Sequence, residues 1–537
     1  MRTIYHNGLV FTGSLPLVQA FIVEDGRFTA VGSDTEILAQ SAAEDTVVDL
    51  EGHFVSAGFN DSHMHLLNFG QSLRMAQLAR HTDSLTGMIT YLEQFLQDNP
   101  VVDGQWLRGR GWNQDYFTDV QRMPSRWDLD RISTDIPIMI TRACGHSAVV
   151  NSKVLQIAGI TADTPAPIGG AIGIENGEPD GRFYDNALDL VNRHLPLPDK
   201  EELKNMIRAA CIALNRYGIT SSQTDDYCVF RGIPFETVNE AYRELEESGE
   251  LTVRVYEQSN FTTVEDLQRF IDAGNITGTG TDCFRIGPLK MLGDGSLGAR
   301  TAHLSRPYAD DPSTCGFSLF TPEHMNAMVS LANRSGMQIA IHAIGDACLD
   351  QVLNAVDLAL QECPREDHRH GVVHCQISRA DQLERIAQLH MHVYAQSIFL
   401  DYDNHIVRER VGDDLASTSY SWKTLMNNGV SVSNGSDCPV ELPDVLEGIE
   451  CAVTRTSLDG TGPYLPEQAF TVEEALNSFT SMAAYASFEE NTKGRIAPGY
   501  IADFTVLGED PFTADPRTIH SIPVLSTYLA GNCVYTR

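Results

Sequence analysis

The chain has no C-x-x-C pair, no long apolar run and few basic residues. Each absence closes a class of function. Its 11 cysteines are scattered and odd in number, which fits free thiols in a reducing compartment better than a disulfide framework or a Cys-zinc site. Cys375 and Cys438 adjoin His374 and Asp437, but strand alternation turns them away, and they read as packing residues. No stretch approaches the ~20 apolar residues that cross a bilayer. Lys and Arg number 38 against 72 Asp and Glu, a formal charge of −34. Nucleic acid and anionic membranes need a basic footprint, so neither is expected as a partner. The start, MRTIYHNGLVFTG, lacks the basic and apolar segments of a secretory signal, and a cytoplasmic protein is the default expectation. Neither an internal repeat nor a low-complexity segment stands out.

What is present is alternation. Between about 218 and 440, strand-like runs (GITSSQT, LTVRVYE, RIGPLKM, MQIAIHA, HGVVHC, HVYAQSIF, GVSVSNG) are separated by amphipathic stretches such as DACLDQVLNAVDLALQE. This βα alternation implies a parallel sheet. A further run at 54–60 brings the count to eight, enough to close a (β/α)8 barrel of the α/β class. Both ends of the chain show short alternating runs broken by Gly and Asp, and most economically form one small β domain. At 537 residues the chain exceeds a single barrel of about 250. The excess is placed in that domain (1–57 and 489–537) and in an insertion or lid (71–205) after the first barrel strand and metal loop (58–70). The barrel resumes over 206–488. Thr471 and Glu474 predict a capping box before ALNSFTSMAAYA.

Six residues repeat one position. His63 and His65, Lys290, His342, His374 and Asp437 each sit at the downstream end of a strand-like run. In a parallel barrel those ends converge on one rim, where catalytic groups gather. Alternate residues share a strand face, so the His-x-His pair aims both rings together. Imidazoles with a carboxylate suit zinc and other divalent ions. His390 and His392 lie before their strand, as does His370, and His368 lies in a charged loop. All four read as structural or solvated. In the insertion, Trp112, Asn113, Tyr116 and His146 are candidates for substrate contact. Trp112 and Tyr116 read equally well as packing.

Taken together, GFNDSHMH, GRGWNQ, CGHSAVVNS, KMLGDGSLGARTA, IAIHAIGDACLD, VVHCQ, SNGSDCPVE and KGRIAPGYIADFTVL resemble the amidohydrolase superfamily. The match is to the amidohydrolase-3 branch that includes N-substituted formamide deformylases, and it spans essentially the whole chain. The resemblance implies a TIM-like barrel with a small β-sandwich domain formed by both termini. It implies two divalent metal ions, zinc before manganese, cobalt or iron. His63, His65 and Asp437 would hold the more buried ion, and His342 and His374 the second. Lys290, carboxylated by carbon dioxide, would bridge them; a bare, singly metallated alternative leaves Lys290 as a substrate-binding cation. Asp61 reads as fixing the metal loop. Asp294 reads as a supporting residue, and Arg300 as bracing a turn or binding a substrate carboxylate.

The expected chemistry is hydrolysis of a C–N bond in an amide, formamide or carbamate-like small molecule. Two cations about 3.5–4 Å apart would lower the pKa of a bridging water toward roughly 7. Asp437 would shuttle its proton to the leaving nitrogen, and His146 would share the charge on the carbonyl oxygen. Ester, lactone or phosphoester hydrolysis on the same centre, or a non-catalytic regulator keeping the fold, are the alternatives. A homodimer is common in such families, but no residue of this chain marks its contact.

Overall fold

Eight parallel strands form the sheet that carries the site: Phe59–Met64, Ile219–Thr224, Arg254–Asn260, Phe284–Leu292, Ile339–Ala343, Gly371–His374, His392–Ala395 and Val432–Asn434. We refer to them as the first to eighth barrel strands. The computed structural model describes every residue except 1, 82, 102–103, 121, 143–146, 168–169 and 231. Neighbouring strands pair in sequence order, with helices such as Phe235–Glu247, Pro322–Arg334 and Asp346–Glu362 between them. The fold is thus the expected (β/α)8 barrel.

The sheet closes on itself through a short polar seam between the eighth and first strands. Ser433 Oγ bonds Ser62 Oγ at 2.8 Å. Just past the eighth strand, the Asp437 amide donates to the His63 carbonyl and the His65 amide to the Cys438 carbonyl, each at 2.8 Å. Closure and the metal loop are therefore one structure. Gly435 makes it feasible, because a Cβ there would stand 2.5 Å from the His63 amide nitrogen.

The first barrel strand corrects one expectation. The run at 54–60 does not enter the barrel whole. Phe54–Ala57 pairs antiparallel with Phe504–Leu507 in a terminal sheet, and the barrel strand begins at Phe59. Gly58 marks the break, its amide bonding the Asp503 carbonyl at 2.9 Å. His63 consequently lies inside its strand rather than beyond it.

Both termini build the β domain. One sheet holds Arg2–His6, Ala20–Glu24, Arg27–Gly32 and Thr46–Asp49; the other holds Leu9–Val10, Phe54–Ala57, Phe504–Leu507, Val524–Leu529 and Asn532–Thr536. Their facing side chains, among them Tyr5, Phe21, Phe28, Phe504 and Val506, form one core. Phe504 and Tyr528 stack at 4.3 Å, a geometry that adds to the burial of both rings.

Residues 1–69 and 207–537 form one compact unit and 70–206 another. The second unit has its own six-stranded sheet, ordered 170–175, 178–185, 147–150, 138–142, 107–112 and 76–77. Helix Leu85–Asp98 supplies Leu85, Met88, Ile89 and Leu92 to a core with Leu107, Trp112, Ile138 and Ile140. At Val472–Ser478 the capping box is formed: Thr471 Oγ1 accepts from the Glu474 amide, and Glu474 Oε2 from the Thr471 amide. Among the described residues, no helix is long and apolar enough to cross a membrane.

Candidate metal centre

At the carboxyl rim of the barrel, one ligand atom each from His63, His374 and Asp437 lies within 4.8 Å of the others, and all three residues are buried. Asp437 Oδ1 is 3.0 Å from His65 Nε2 and 3.3 Å from His63 Nε2. The His342 ring centroid is 4.4 Å from that of His374. Lys290 is fully buried in the fourth strand, its Nζ 3.4 Å from Asp225 Oδ2. Asp225 in turn meets His65 Nδ1 at 2.9 Å. The six residues singled out by strand position thus form one connected cluster.

Each imidazole is aimed by a partner on another barrel strand or just past one. His63 Nδ1 meets Gln258 Oε1 at 2.8 Å, His374 Nδ1 meets Gln396 Oε1 at 2.7 Å, and His65 Nδ1 meets Asp225 Oδ1. All three partners are acceptors, so these Nδ1 atoms carry the protons and Nε2 is left as the ligand atom. His342 is held the other way round. Its Nε2 lies 3.1 Å from the Gly295 carbonyl and 3.2 Å from Asp294 Oδ1, leaving Nδ1. Asp294 is fixed by the amides of His303, Ile344 and Gly345. Asp61 ties the metal loop by accepting from Ser436 Oγ and from the Ser436 and His63 amides.

Protonation states follow from these contacts. Burial pushes His374 well below the ordinary histidine range, with His342 adding to the effect. His63 is lowered by burial and by Lys290. Burial would raise Asp437, but hydrogen bonds from His63 and His65 outweigh it and hold the carboxyl well below its usual range. For His65 the balance reverses: burial lowers it, yet Asp225 and Asp437 raise it well above the ordinary value.

Neutral His63 and His374 and ionised Asp437 are in the states that bind first-row divalent ions, whereas His65 would give up a proton to do so. His374 Nε2 is buried without a hydrogen-bond partner among the described residues, as a ligand atom awaiting an ion would be. The donor set therefore fits a metal ion. Two of its members bear backbone strain, since His374 (φ +74°) and Asp437 (φ +59°) occupy the left-handed region. Such residues cost on the order of 1–3 kcal/mol each and cluster at functional sites.

The remaining candidates have contacts of their own. Arg300 forms a two-pronged pair with Asp310, which also binds Arg410. In the second unit Trp112 is buried in the core, whereas Tyr116 is 65% exposed. Asn113 Oδ1 accepts from Arg142 Nη2 at 2.8 Å. His146 lies outside the described residues. The structure adds Asp225, Gln258 and Gln396, which are absent from the sequence-based set. Asp225 and Gln396 directly follow the second and seventh strands, as His65 follows the first. Gln258 lies within the third strand and carries no comparable signal.

Comparison with known proteins agrees with this geometry. The Amidohydrolase family profile matches residues 46–535. The protein YtcJ of Bacillus subtilis (strain 168), named as an amidohydrolase, is 32% identical over 544 residues, covering 100% of both chains. An N-substituted formamide deformylase of Arthrobacter pascens is 26% identical, covering 97% of this chain and 95% of its own. The crystal structure of an uncharacterized metal-dependent hydrolase from Pyrococcus horikoshii superposes with a TM-score of 0.80 at 27% identity, covering 96% of this chain and 99% of that one. From the matched length, the full-length relative and the ligand cluster at the barrel rim, the chain belongs to the amidohydrolase family of metal-dependent hydrolases.

Proposed function

We propose that the protein hydrolyses a C–N bond in an amide, formamide or carbamate-like small molecule, with Asp437 as the proton shuttle. One observation carries this reading: an ionised, buried carboxylate within hydrogen-bond reach of His63 and His65, beside the unpartnered His374 Nε2. The formamide deformylase among the relatives supports the choice of bond. His63, His65, His374 and Asp437, with His342 and Lys290, would hold two divalent ions, Lys290 as its N-carboxylate. Such ions supply Lewis acidity and make water a nucleophile at neutral pH.

Asp437 takes the proton of the attacking water and delivers it to the departing nitrogen. Without that delivery an amine anion must leave, which is a very poor leaving group. General acid–base work of this kind contributes about 100- to 10,000-fold. At neutral pH the Asp437 carboxyl is ionised, the form that can accept a proton.

The test is a screen of N-formyl, N-acyl and ester substrates with zinc-, cobalt- or manganese-loaded enzyme. Turnover of N-formyl or N-acyl compounds is expected, falling about 100- to 10,000-fold in Asp437→Asn at saturating metal. Turnover of esters alone, or an unimpaired Asn variant, would overturn the reading.

A further inference from the structure

We propose that Asp225 is a positioning residue of this centre, a single buried carboxylate that ties His65 and Lys290 together. The inference rests on the reading that these residues serve a metal centre. Asp225 is fully buried and has four side-chain neighbours: His65 Nδ1 at 2.9 Å, Cys228 Sγ at 3.1 Å, Asn260 Nδ2 at 3.2 Å and Lys290 Nζ at 3.4 Å. They come from the first, third and fourth strands and from its own loop.

Three features set this residue apart from a packing carboxylate. First, its loop is clasped to the His-x-His segment. The Asp225 amide donates to the Met64 carbonyl at 3.1 Å, Thr224 Oγ1 accepts from the Leu66 amide at 2.7 Å, and Asp226 Oδ1 accepts from the Leu67 amide at 2.9 Å. Asp225 thus grips the chain just before His65, and its two neighbours grip it just after.

Second, the His65 side chain is 20% exposed, whereas His63 is 1% exposed. The His63 ring is fixed by enclosure as well as by Gln258. His65 lacks that enclosure, and a ring able to turn would present either nitrogen. Asp225 selects the orientation in which Nε2 faces Asp437. Third, the Nδ1 atoms of His63 and His374 are held by neutral amides of Gln258 and Gln396, while that of His65 is held by a carboxylate. A carboxylate partner makes the ring a more basic ligand than an amide does. The same carboxylate also reaches Lys290, so one side chain contacts two proposed ligands, one following the first strand and one in the fourth.

The experiment is cobalt(II) titration of metal-stripped wild type, Asp225→Asn and Asn260→Ala, read by the visible spectrum and by bound metal per chain. Asparagine keeps an acceptor for His65 but turns its other end into a donor facing Lys290 and Asn260. Cobalt affinity in Asp225→Asn is expected to fall about 10- to 100-fold, with an altered cobalt spectrum. Asn260→Ala leaves the carboxylate and removes one restraint; its affinity is expected to fall less, with a spectral change in the same direction. Wild-type affinity and spectrum in Asp225→Asn would overturn the proposal. Should that variant not fold, the same result in Asn260→Ala overturns it. Failure of wild type to bind cobalt or turn over any substrate would instead count against the hydrolase reading.

Discussion

Replacing Gly435 by alanine tests whether barrel closure and the metal centre are one structure. The added Cβ would stand 2.5 Å from the His63 nitrogen, 2.7 Å from Asp61 Oδ1 and 2.8 Å from the His63 oxygen. Two of these three atoms are backbone, so no rotamer change relieves the clash. Moving the nearest from 2.5 Å to an ordinary contact of at least 3.0 Å opens the seam by about half an ångström. Overpacking of this kind typically costs about 1–3 kcal/mol. The strain falls where the Asp437 amide bonds the His63 carbonyl and Asp437 Oδ1 lies 3.3 Å from His63 Nε2. Two proposed ligands are thereby pushed apart, and affinity for zinc or cobalt is expected to drop about 10- to 100-fold, the range for losing groups that orient ligands. Gly298→Ala is the control. Its Cβ would meet only Tyr402 Cε1 at 3.7 Å and Ile406 Cδ1 at 4.0 Å, ordinary contacts on a loop past the fourth strand. Urea midpoints and metal titrations of both variants decide the matter. A Gly435→Ala protein as stable and as tightly metallated as Gly298→Ala would refute the reasoning.

Three further outcomes follow from buried titratable groups and from mass action. Native His392, buried between Ser431 and Ser433, stays neutral down to about pH 3, with burial as the chief cause. The unfolded chain takes up that proton near pH 6.5, so stability falls as pH drops from about 6.5 to about 3, by on the order of 4 kcal/mol; His392→Gln should flatten this slope in urea melts at stepped pH, and an equally steep slope would contradict it. Burial, reinforced by Asp226, holds Glu257 well above the carboxylate range. The unfolded state therefore loses its proton first as pH rises past about 4.5, and stability falls on that side; Glu257→Gln should be at least as stable as wild type at pH 7, with the advantage gone near pH 4, and a markedly weaker variant at pH 7 would dismiss the argument. Saturating zinc at 100 times its Kd should add about 2.7 kcal/mol, seen as a rise in unfolding midpoint that a chelator reverses; a midpoint indifferent to verified metal removal would speak against an ion bound only by the native state.

Much of this architecture is legible in the chain because parallel strands buried on both faces read as short apolar runs, and because ligands sit where those runs end. His342 and His374 illustrate the rule. It blurs where two sheets share one run. Phe54–Ala57 and Phe59–Met64 are both fully buried, and nothing in their periodicity says that the first pairs with Phe504–Leu507. A long-range partner 450 residues away decides it. Asp225 obeys the strand-end rule as well as any ligand, but an acidic residue after GITSSQT resembles an ordinary turn until His65 and Lys290 are seen beside it. Gln258 has no local mark, since its role depends on the ring of His63, two strands away in the sheet.

The strained ligands explain why the centre is assembled by the fold itself. Left-handed backbone at His374 and Asp437 persists only where surrounding contacts over-determine it. They do. Trp422 Nε1 donates to the His374 carbonyl at 3.0 Å, and the next amide, that of Cys375, donates to the Ala343 carbonyl at 3.1 Å. Asp437 is held by its amide bond to His63 and by the Ser436–Asp61 clasp beside it. These restraints come from the barrel and its closing seam, and each is complete with protein atoms alone. An ion entering the proposed site would thus meet Nε2 atoms and a carboxylate already in place. Ligand binding then costs little ordering of side chains, and the strain is borne by folding rather than by metal capture. Trp422→Phe isolates that division of labour, because it removes one hydrogen bond to the strained His374 peptide and touches no ligand atom. Metal affinity should fall while the number of ions bound at saturation stays the same; a lower saturating stoichiometry would show that the ligands are gathered by the ion and not by the fold.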